Sequence, residues 1–291
     1  MADSLPIPLT SPLSSAQKTS LINLVRRAAK AEILPRFRNL GSGDVATKSG
    51  RHDLVTEADT AAEAMLARGI QSMFPHALVV GEEAATADPE LRNKIGDAEL
   101  AFILDPVDGT WNFAHGLGIF GVILSVTRFG KPVFGMLYDP LADDWISAEE
   151  DGQAEFTRAI GTTRLLTVSD GGELGDLSGF THYNYLPQEA KPSVARALPD
   201  LGRSTSLQCS CHEYRVIARG GADFLLSGTL NPWDHAAGIL ICQRAGGVAR
   251  MLNGDDYTAT VSEGYILAAS NEATWEKLRD HFAFLLDDAK A

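Results

Sequence analysis

The chain is poor in cysteine, in positive charge and in long apolar runs. Three of its 291 residues are cysteine: Cys209, Cys211 and Cys242. Three thiols give no disulfide framework. The spacing of Cys209-Ser210-Cys211, with no second pair, is not that of a zinc site. All three read as reduced, partly buried thiols of a cytoplasmic protein. Lys and Arg number 25 against 38 Asp and Glu, for a net charge of -13. The pI is about 4.9. This balance argues against a nucleic-acid partner, because phosphate backbones demand a basic face. An acidic protein that handles an anion needs local positive charge, and a bound metal can supply it. No run approaches the roughly 20 apolar residues of a membrane-spanning helix. Residues 1–15 carry Pro6, Pro8 and Pro12 and no basic stretch leading into an apolar core. They read as a flexible N-terminal extension rather than a leader. Internal repeats and low-complexity tracts are absent too.

What is present is ordinary globular composition, 45% hydrophobic and 22% charged, with length for one large domain or two joined ones. Ala16 to Phe37 sets Leu21, Leu24, Val25, Ala28 and Ile33 on one face and predicts an amphipathic helix. Asp59 to Met73 predicts a second, stopped by Pro75. Ala77 to Val80 is a short strand and Asp88 to Asp97 a polar loop or short helix. Ala101-Phe102-Ile103-Leu104 is a continuous apolar run, as in a buried strand. Gly121 to Arg128 and Pro132 to Tyr138 are strands joined at Gly130-Lys131, and Asp144 to Phe156 is a hairpin turning at Asp151-Gly152. A Gly-, Ser- and Thr-rich stretch from Thr162 to Gly179 suggests a boundary near residue 158. It separates an α+β half, 16–157, from an α/β half, 158–291, that complete one catalytic unit. Beyond it, helices are expected at Pro187 to Leu198, Glu213 to Arg219, Trp233 to Ala245 and Glu272 to Asp287. Strands are expected at Ser204 to Gln208, Phe224 to Leu226 and Tyr265 to Ala269. The alternation lacks a strict βαβ rhythm, which favours stacked layers of mixed sheet and helix over a doubly wound sheet.

The chemistry centres on Asp105-Pro106-Val107-Asp108-Gly109-Thr110. The apolar run delivers two carboxylates into one tight turn, in which Pro106 fixes φ and Gly109 opens a conformation closed to other residues. Carboxylates so spaced can grip hard cations through oxygen, with the Val107 carbonyl as a further ligand. The N–H groups of Gly109 and Thr110 could face an anion, and the Thr110 hydroxyl could orient a water. The hexapeptide alone fits a plain Asp-Pro-x-Asp-Gly turn equally well. Gly81-Glu82-Glu83 also follows an apolar run, and so sits at a strand end. Asp234 falls in the first turn of a helix, where capping is its ordinary role. Its neighbours Trp233, Ala236, Ala237 and Gly238 imply a tightly packed helix start, and a carboxylate there needs a partner that a cation would supply.

Taken together these segments resemble the inositol monophosphatase family. Asp105 to Phe113 is similar to its first signature, and Trp233 to Gly238, running on to Ala245-Gly246-Gly247, to its second. Asp53-Leu54-Val55-Thr56-Glu57-Ala58-Asp59 and Gly81-Glu82-Glu83 resemble its remaining two segments. All four lie in family order between about Lys48 and Gly247. The resemblance implies a layered αβαβα sandwich of the inositol monophosphatase/fructose-bisphosphatase type, two or three Mg²⁺ ions and a homodimer. It implies metal ligation by Glu82, Asp105, the Val107 carbonyl, Asp108 and Asp234. Gly109 and Thr110 would hold the phosphate through backbone N–H groups, with Asp108 and Asp234 beside it. Thr110 would hydrogen-bond Asp59 and, with Glu82, activate the attacking water. Lys48 matches a lysine near the site.

His115 and His235 flank the two signatures but have no metal role in this reading, since magnesium prefers oxygen. Glu83 is not taken as a ligand. Trp111 and Trp233 read as packing residues, and Cys209 and Cys211 as structural residues on a strand or turn. Inositol-specific members carry a glutamate seven residues before the helix-start aspartate, where this chain has Ser227. Near a family Gly-Ser/Thr-Ala run it has Gln208-Cys209-Ser210. Ser210 and Ser227 are therefore expected to line an altered alcohol pocket, while Asn112 matches the inositol-type signature. The expectation is a Mg²⁺-dependent phosphatase of a small phosphorylated metabolite, inositol 1-phosphate foremost. Histidinol phosphate, fructose 1,6-bisphosphate and a catalytically inactive, ligand- or partner-binding member stand as alternatives.

Overall fold

The computed structural model describes residues 12–41, 43–47 and 54–288. Lys48, Asp53 and residues 1–11 of the expected extension lie outside them. A two-stranded hairpin, β1 (Val45–Thr47) and β2 (Leu54–Thr56), precedes a seven-stranded sheet in sequence order. That sheet comprises β3 (Leu78–Gly81), β4 (Ala101–Asp108), β5 (Gly121–Arg128), β6 (Lys131–Asp139), β7 (Asp144–Glu149), β8 (Glu155–Arg158) and β9 (Arg164–Leu165). β3 runs parallel to β4, and the remaining pairs form an antiparallel meander. A five-stranded mixed sheet follows: β10 (Ser178–Thr181), β11 (Arg203–Thr205), β12 (Phe224–Ser227), β13 (Val248–Met251) and β14 (Ile266–Ala269), in the order β11-β10-β12-β14-β13. The helices are α1 (Ser15–Ala28), α2 (Glu57–Met73), α3 (Glu82–Ala87), α4 (Glu90–Asn93), α5 (Thr110–Ala114), α6 (Lys191–Ala197), α7 (Ser210–Ala218), α8 (Pro232–Arg244), α9 (Glu272–His281) and α10 (Phe284–Asp288).

Period-two alternation in fully buried strands builds the layers. On β4, Phe102 and Leu104 face α1 and α2, whereas Ile103 faces Tyr214 and Ile217 of α7 and Ala236 to Ile241 of α8. On β12, Leu225 joins that middle layer, and Phe224 and Leu226 pack outward on α6 and α9 through Val194, Trp275 and Leu278. The result is helix, sheet, helix, sheet, helix: the αβαβα sandwich expected from the sequence. Among the described residues no helix is long and apolar enough to cross a membrane.

Several boundaries differ from expectation for local reasons. The first helix starts where Ser14 and Gln17 form a capping box, and ends regular winding at Ala28. It widens into a π turn over Ala29–Ile33, closed by Leu34 N–H donating to the Ala29 carbonyl, so Ala16 to Phe37 is not one α-helix. The second begins at Glu57, capped by Thr56 with Asp59 answering from N3. The strand expected over Ser204 to Gln208 stops at Thr205, and Gln208 takes a left-handed φ of 52°. That turn launches α7 three residues earlier than Glu213, with Cys209 as its N-cap and Ser210 and Cys211 in its first turn rather than on a strand. Lys191–Ala197 is the helical part of Pro187 to Leu198, and the last helix breaks at Phe282.

Candidate active site

The C-terminal ends of β3 and β4 and the N-terminal turns of α3, α5, α7 and α8 meet at one cavity of about 470 Å³. Its lining includes Glu82, Asp105, Asp108, Gly109, Thr110, Ser210 and Asp234. Four helix starts bring four sets of partly unpaired N–H dipoles to one spot.

β4 is buried along its whole length until it delivers the carboxylates. Its pairing with β5 shifts between Asp105 and Asp108, so Pro106 and Val107 stand opposite the single residue Val122, and the bulge lets both carboxylates reach the cavity. Asp105 Oδ1 accepts the Val107 N–H at 3.1 Å, which closes the turn. Gly109 then adopts φ +87° and starts α5. A side chain there would come within 2.8 Å of the Ile119 carbonyl oxygen. One ligand oxygen each from Asp105, Asp108 and Asp234 lies within 4.8 Å of the others, although Asp234 is 126 residues from Asp108 in sequence.

The electrostatics are one-sided. Burial, with Glu82 and Asp108 alongside, pushes the Asp105 carboxyl well above its ordinary range. Burial raises Asp234 as well, helped by Asp108 and Glu82. Asp108 rises to about 6, held back by the Cys211 N–H at 2.5 Å and the Cys209 thiol at 3.1 Å, both donating to its Oδ2. Among the described residues no Lys or Arg lines the cavity. Oxygen-rich, mutually repelling and short of positive charge, this donor set fits a hard divalent cation.

Around it sit the positioning contacts. Thr110 Oγ1 lies 3.2 Å from Asp59 Oδ1 and 3.1 Å from the Val107 carbonyl, and its one proton can go to either. Asp59 Oδ2 accepts from Thr56 N–H at 2.9 Å and Thr56 Oγ1 at 2.5 Å, so the cap of α2 fixes the carboxylate that holds Thr110. Glu63, one turn further along α2, accepts the Glu83 N–H on Oε2 and the Ala84 N–H on Oε1, each at 2.9 Å. It caps α3 from outside and sets where Glu82 stands. The fit is tight: a Cβ on Gly81 would fall 2.1 Å from the Glu63 carboxyl carbon. Glu63 was missing from the expected site, though its place four residues after Asp59 on the same helical face hints at it. Asn112 is buried and donates through Nδ2 to the Ile119 carbonyl at 2.9 Å and the Leu207 carbonyl at 2.8 Å, tying α5 to the turn before α7.

The alcohol side differs more from expectation. Ser210 lines the cavity, but Ser227 is fully buried and is not part of the lining. Direct substrate contact by Ser227 is thus corrected. Its hydroxyl is engaged with the Thr229 backbone and stands 3.0 Å from His182 Nδ1. His182 occupies the wall instead, with Nε2 on the Glu213 carboxylate. Burial alone would lower its pKa, but Glu213 outweighs that and holds it above the ordinary value. Glu213 also accepts from the Leu207 N–H at 2.6 Å and the Ser206 hydroxyl at 3.1 Å. Neither His182 nor Glu213 carries a local sequence signal, because 31 residues separate them and the Ser210 helix brings them together. His235 is buried with its pKa lowered to about 3, beside Tyr214 at 3.0 Å. His115 is exposed and stacks on Trp111 at 4.0 Å. Neither histidine lines the cavity, whereas Trp111 and Trp233, read from sequence as packing residues, both do.

This five-layered fold, with carboxylates gathered at strand ends, places the chain among the layered α+β phosphatases. The profile of the inositol monophosphatase family matches residues 15–286, and the chain belongs to that family. A Thermotoga maritima protein named fructose-1,6-bisphosphatase/inositol-1-monophosphatase is 29% identical over 216 residues, covering 74% of this chain and 78% of its own. Nus factor SuhB of Escherichia coli K12 is 28% identical over 253 residues, 82% of this chain and 88% of its own. In structure, the extragenic suppressor protein suhB of Bartonella henselae superposes with TM-score 0.77 at 26% identity, over 92% of this chain and 98% of that one. A Thermotoga maritima IMPase gives TM-score 0.76 at 23% identity over 94% and 99%, a likeness of fold.

Proposed function

We propose that the chain hydrolyses a small phosphate monoester in a Mg²⁺-dependent reaction, with inositol 1-phosphate as the leading substrate. Histidinol phosphate and fructose 1,6-bisphosphate are the alternatives within the class. The observation that carries this reading is the Asp105–Asp108–Asp234 cluster, two of its carboxylates buried and the third half-buried, without a cationic side chain among the described lining residues. Glu82, Asp105, the Val107 carbonyl, Asp108 and Asp234 would hold two or three Mg²⁺ ions. Bound there, the metal neutralises phosphoryl charge and lowers the pKa of a coordinated water. The remaining work falls to the protein. Backbone N–H groups of Gly109 and Thr110 receive phosphate oxygens. When the Thr110 hydroxyl donates to Asp59, its lone pairs are left to accept a hydrogen bond from the attacking water, which Glu82 would hold from the other side. The halves 16–157 and 158–291 act as one unit, since the first supplies Asp105 and Asp108 and the second Asp234. The reading includes a homodimer, which sedimentation as a monomer at micromolar concentration would refute. It also includes a cytoplasmic setting, which suits the three buried free thiols.

Asp105→Asn tests it. Mg²⁺-dependent phosphate release should fall to background while the thermal transition persists, and unchanged release would overturn the reading. Relatives named Nus factor SuhB favour a second reading, a partner-binding protein without need of catalysis. Absence of phosphate release by the wild-type chain across a panel of monoesters with Mg²⁺ would select it.

A further inference from the structure

A second cleft of about 320 Å³ adjoins the catalytic cavity, and His182, Tyr185 and Gln208 line both. Its remaining polar lining comes from residues such as Asn184, Ser204 and Thr205. Among the described residues no Lys, Arg, Asp or Glu lines it. The one ionisable ring on its rim, His182, is already paired with Glu213, so a second phosphate or an ammonium placed there would leave water without a free counter-charge, which is expensive. Hydroxyls and amides offer donors and acceptors to an uncharged hydroxylated group. Tyr185 is 54% exposed and offers the side of an aromatic ring. The shared rim is held firm, since both ring nitrogens of His182 are engaged, by Glu213 and by Ser227.

We infer that this cleft is a subsite for the far end of the alcohol, and that it takes a second, uncharged sugar ring. The preferred substrate is then a phosphorylated glycoside, one ring larger than the inositol 1-phosphate that otherwise leads the class. This deepens the phosphatase reading and rests on it. The same lack of charge disfavours fructose 1,6-bisphosphate and histidinol phosphate as substrates spanning both cavities.

The experiment compares kcat/KM with Mg²⁺ for glycerol 2-phosphate, glucose 6-phosphate and trehalose 6-phosphate, the last two differing by one ring. Wild type should favour trehalose 6-phosphate over glucose 6-phosphate by about tenfold, chiefly through KM, as one added ring contact of about 1.4 kcal/mol gives. Thr205→Trp fills the cleft and Asn184→Ala removes one of its amides, both at exposed positions that line this cleft and not the catalytic cavity. Each variant should erase the advantage while leaving glycerol 2-phosphate within twofold. Hydrolysis of the compact esters with no preference for the disaccharide overturns the subsite alone. So does an advantage that survives both variants, or a loss equal on all three esters. No release from these three esters or from inositol 1-phosphate overturns the phosphatase reading and the subsite with it.

Discussion

Glu63→Gln separates the holding of Glu82 from the chemistry Glu82 performs. Glu63 is 7% exposed and offers both carboxylate oxygens to the first free N–H groups of α3. Glutamine keeps one acceptor but turns an NH₂ toward the other N–H, so one hydrogen bond is lost and two donors face each other. Stranding a buried donor that faced a charged acceptor costs about 1–3 kcal/mol, to which loss of the favourable charge at a helix start adds about 0.3–1. For 291 residues the unfolding entropy is about 0.6 kcal/mol/K, so the Tm should fall by roughly 2–7 °C. The start of α3 is then free to shift, and a misplacement of about 1 Å at a reacting group costs on the order of 100-fold. Glu63 is too far back to touch substrate in this scheme. Phosphate release should therefore lose kcat by about 10–100-fold with KM little changed. Calorimetry and steady-state kinetics on the same preparation decide the matter. A lowered Tm with unaltered kcat would show that α3 does not need this cap to place Glu82. No change in either would refute the cap itself.

Gly109→Ala forces an alanine into a left-handed conformation, about 1–2 kcal/mol uphill, and brings its methyl to 2.8 Å from a backbone oxygen that cannot swing away. A fall in Tm with activity reduced at least tenfold is expected, and native-like kinetics would refute the account of the turn. Asp143 accepts Arg26 Nε at 2.7 Å, Arg26 Nη2 at 2.8 Å, Lys30 Nζ at 2.9 Å and the Tyr138 hydroxyl at 2.9 Å. The Arg26 bonds, foremost, hold its carboxyl well below the usual range. A depressed folded pKa contributes stability above the unfolded value of about 3.9 and loses it as pH falls toward the folded one. Asp143→Asn should thus be less stable than wild type at pH 7, with the gap in Tm closing below about pH 4. A gap that stays constant with pH would refute the ion-pair account.

The sequence reveals the strand-end carboxylates because they end an unbroken apolar run, and such a run has one physical meaning in a layered fold. Asp105, Asp108 and Glu82 are legible for that reason, and Asp234 because a helix start rich in small residues announces close packing. The layers are legible too, since Phe102 and Leu104 alternate with Ile103. What stays hidden is made by chain crossings. His182 meets Glu213 only because the chain just after β10 comes up against the start of α7, and Ser227 looks like a lining residue until its contact with that histidine is seen. The break in the first helix is hidden as well, for nothing in Ala29–Ile33 marks the wider π winding. Gln208, a non-glycine residue with positive φ, hides the early start of α7.

Helix α8 has almost no face turned to water: Pro232, Trp233 and the whole run from His235 to Cys242 are buried between two sheets. A helix buried on nearly every side cannot settle until both of its neighbours exist. The meander β4 to β9 is local in sequence and complete by Leu165, whereas the second sheet needs β14, which ends at Ala269. A chain growing from the ribosome therefore carries its first two aspartates in place long before Asp234 can join them. Contacts of such long sequence separation form slowly. In refolding, phosphate release should return last, after the backbone signals of the meander have recovered. The nascent chain stays silent toward its substrate until nearly all of it has been made.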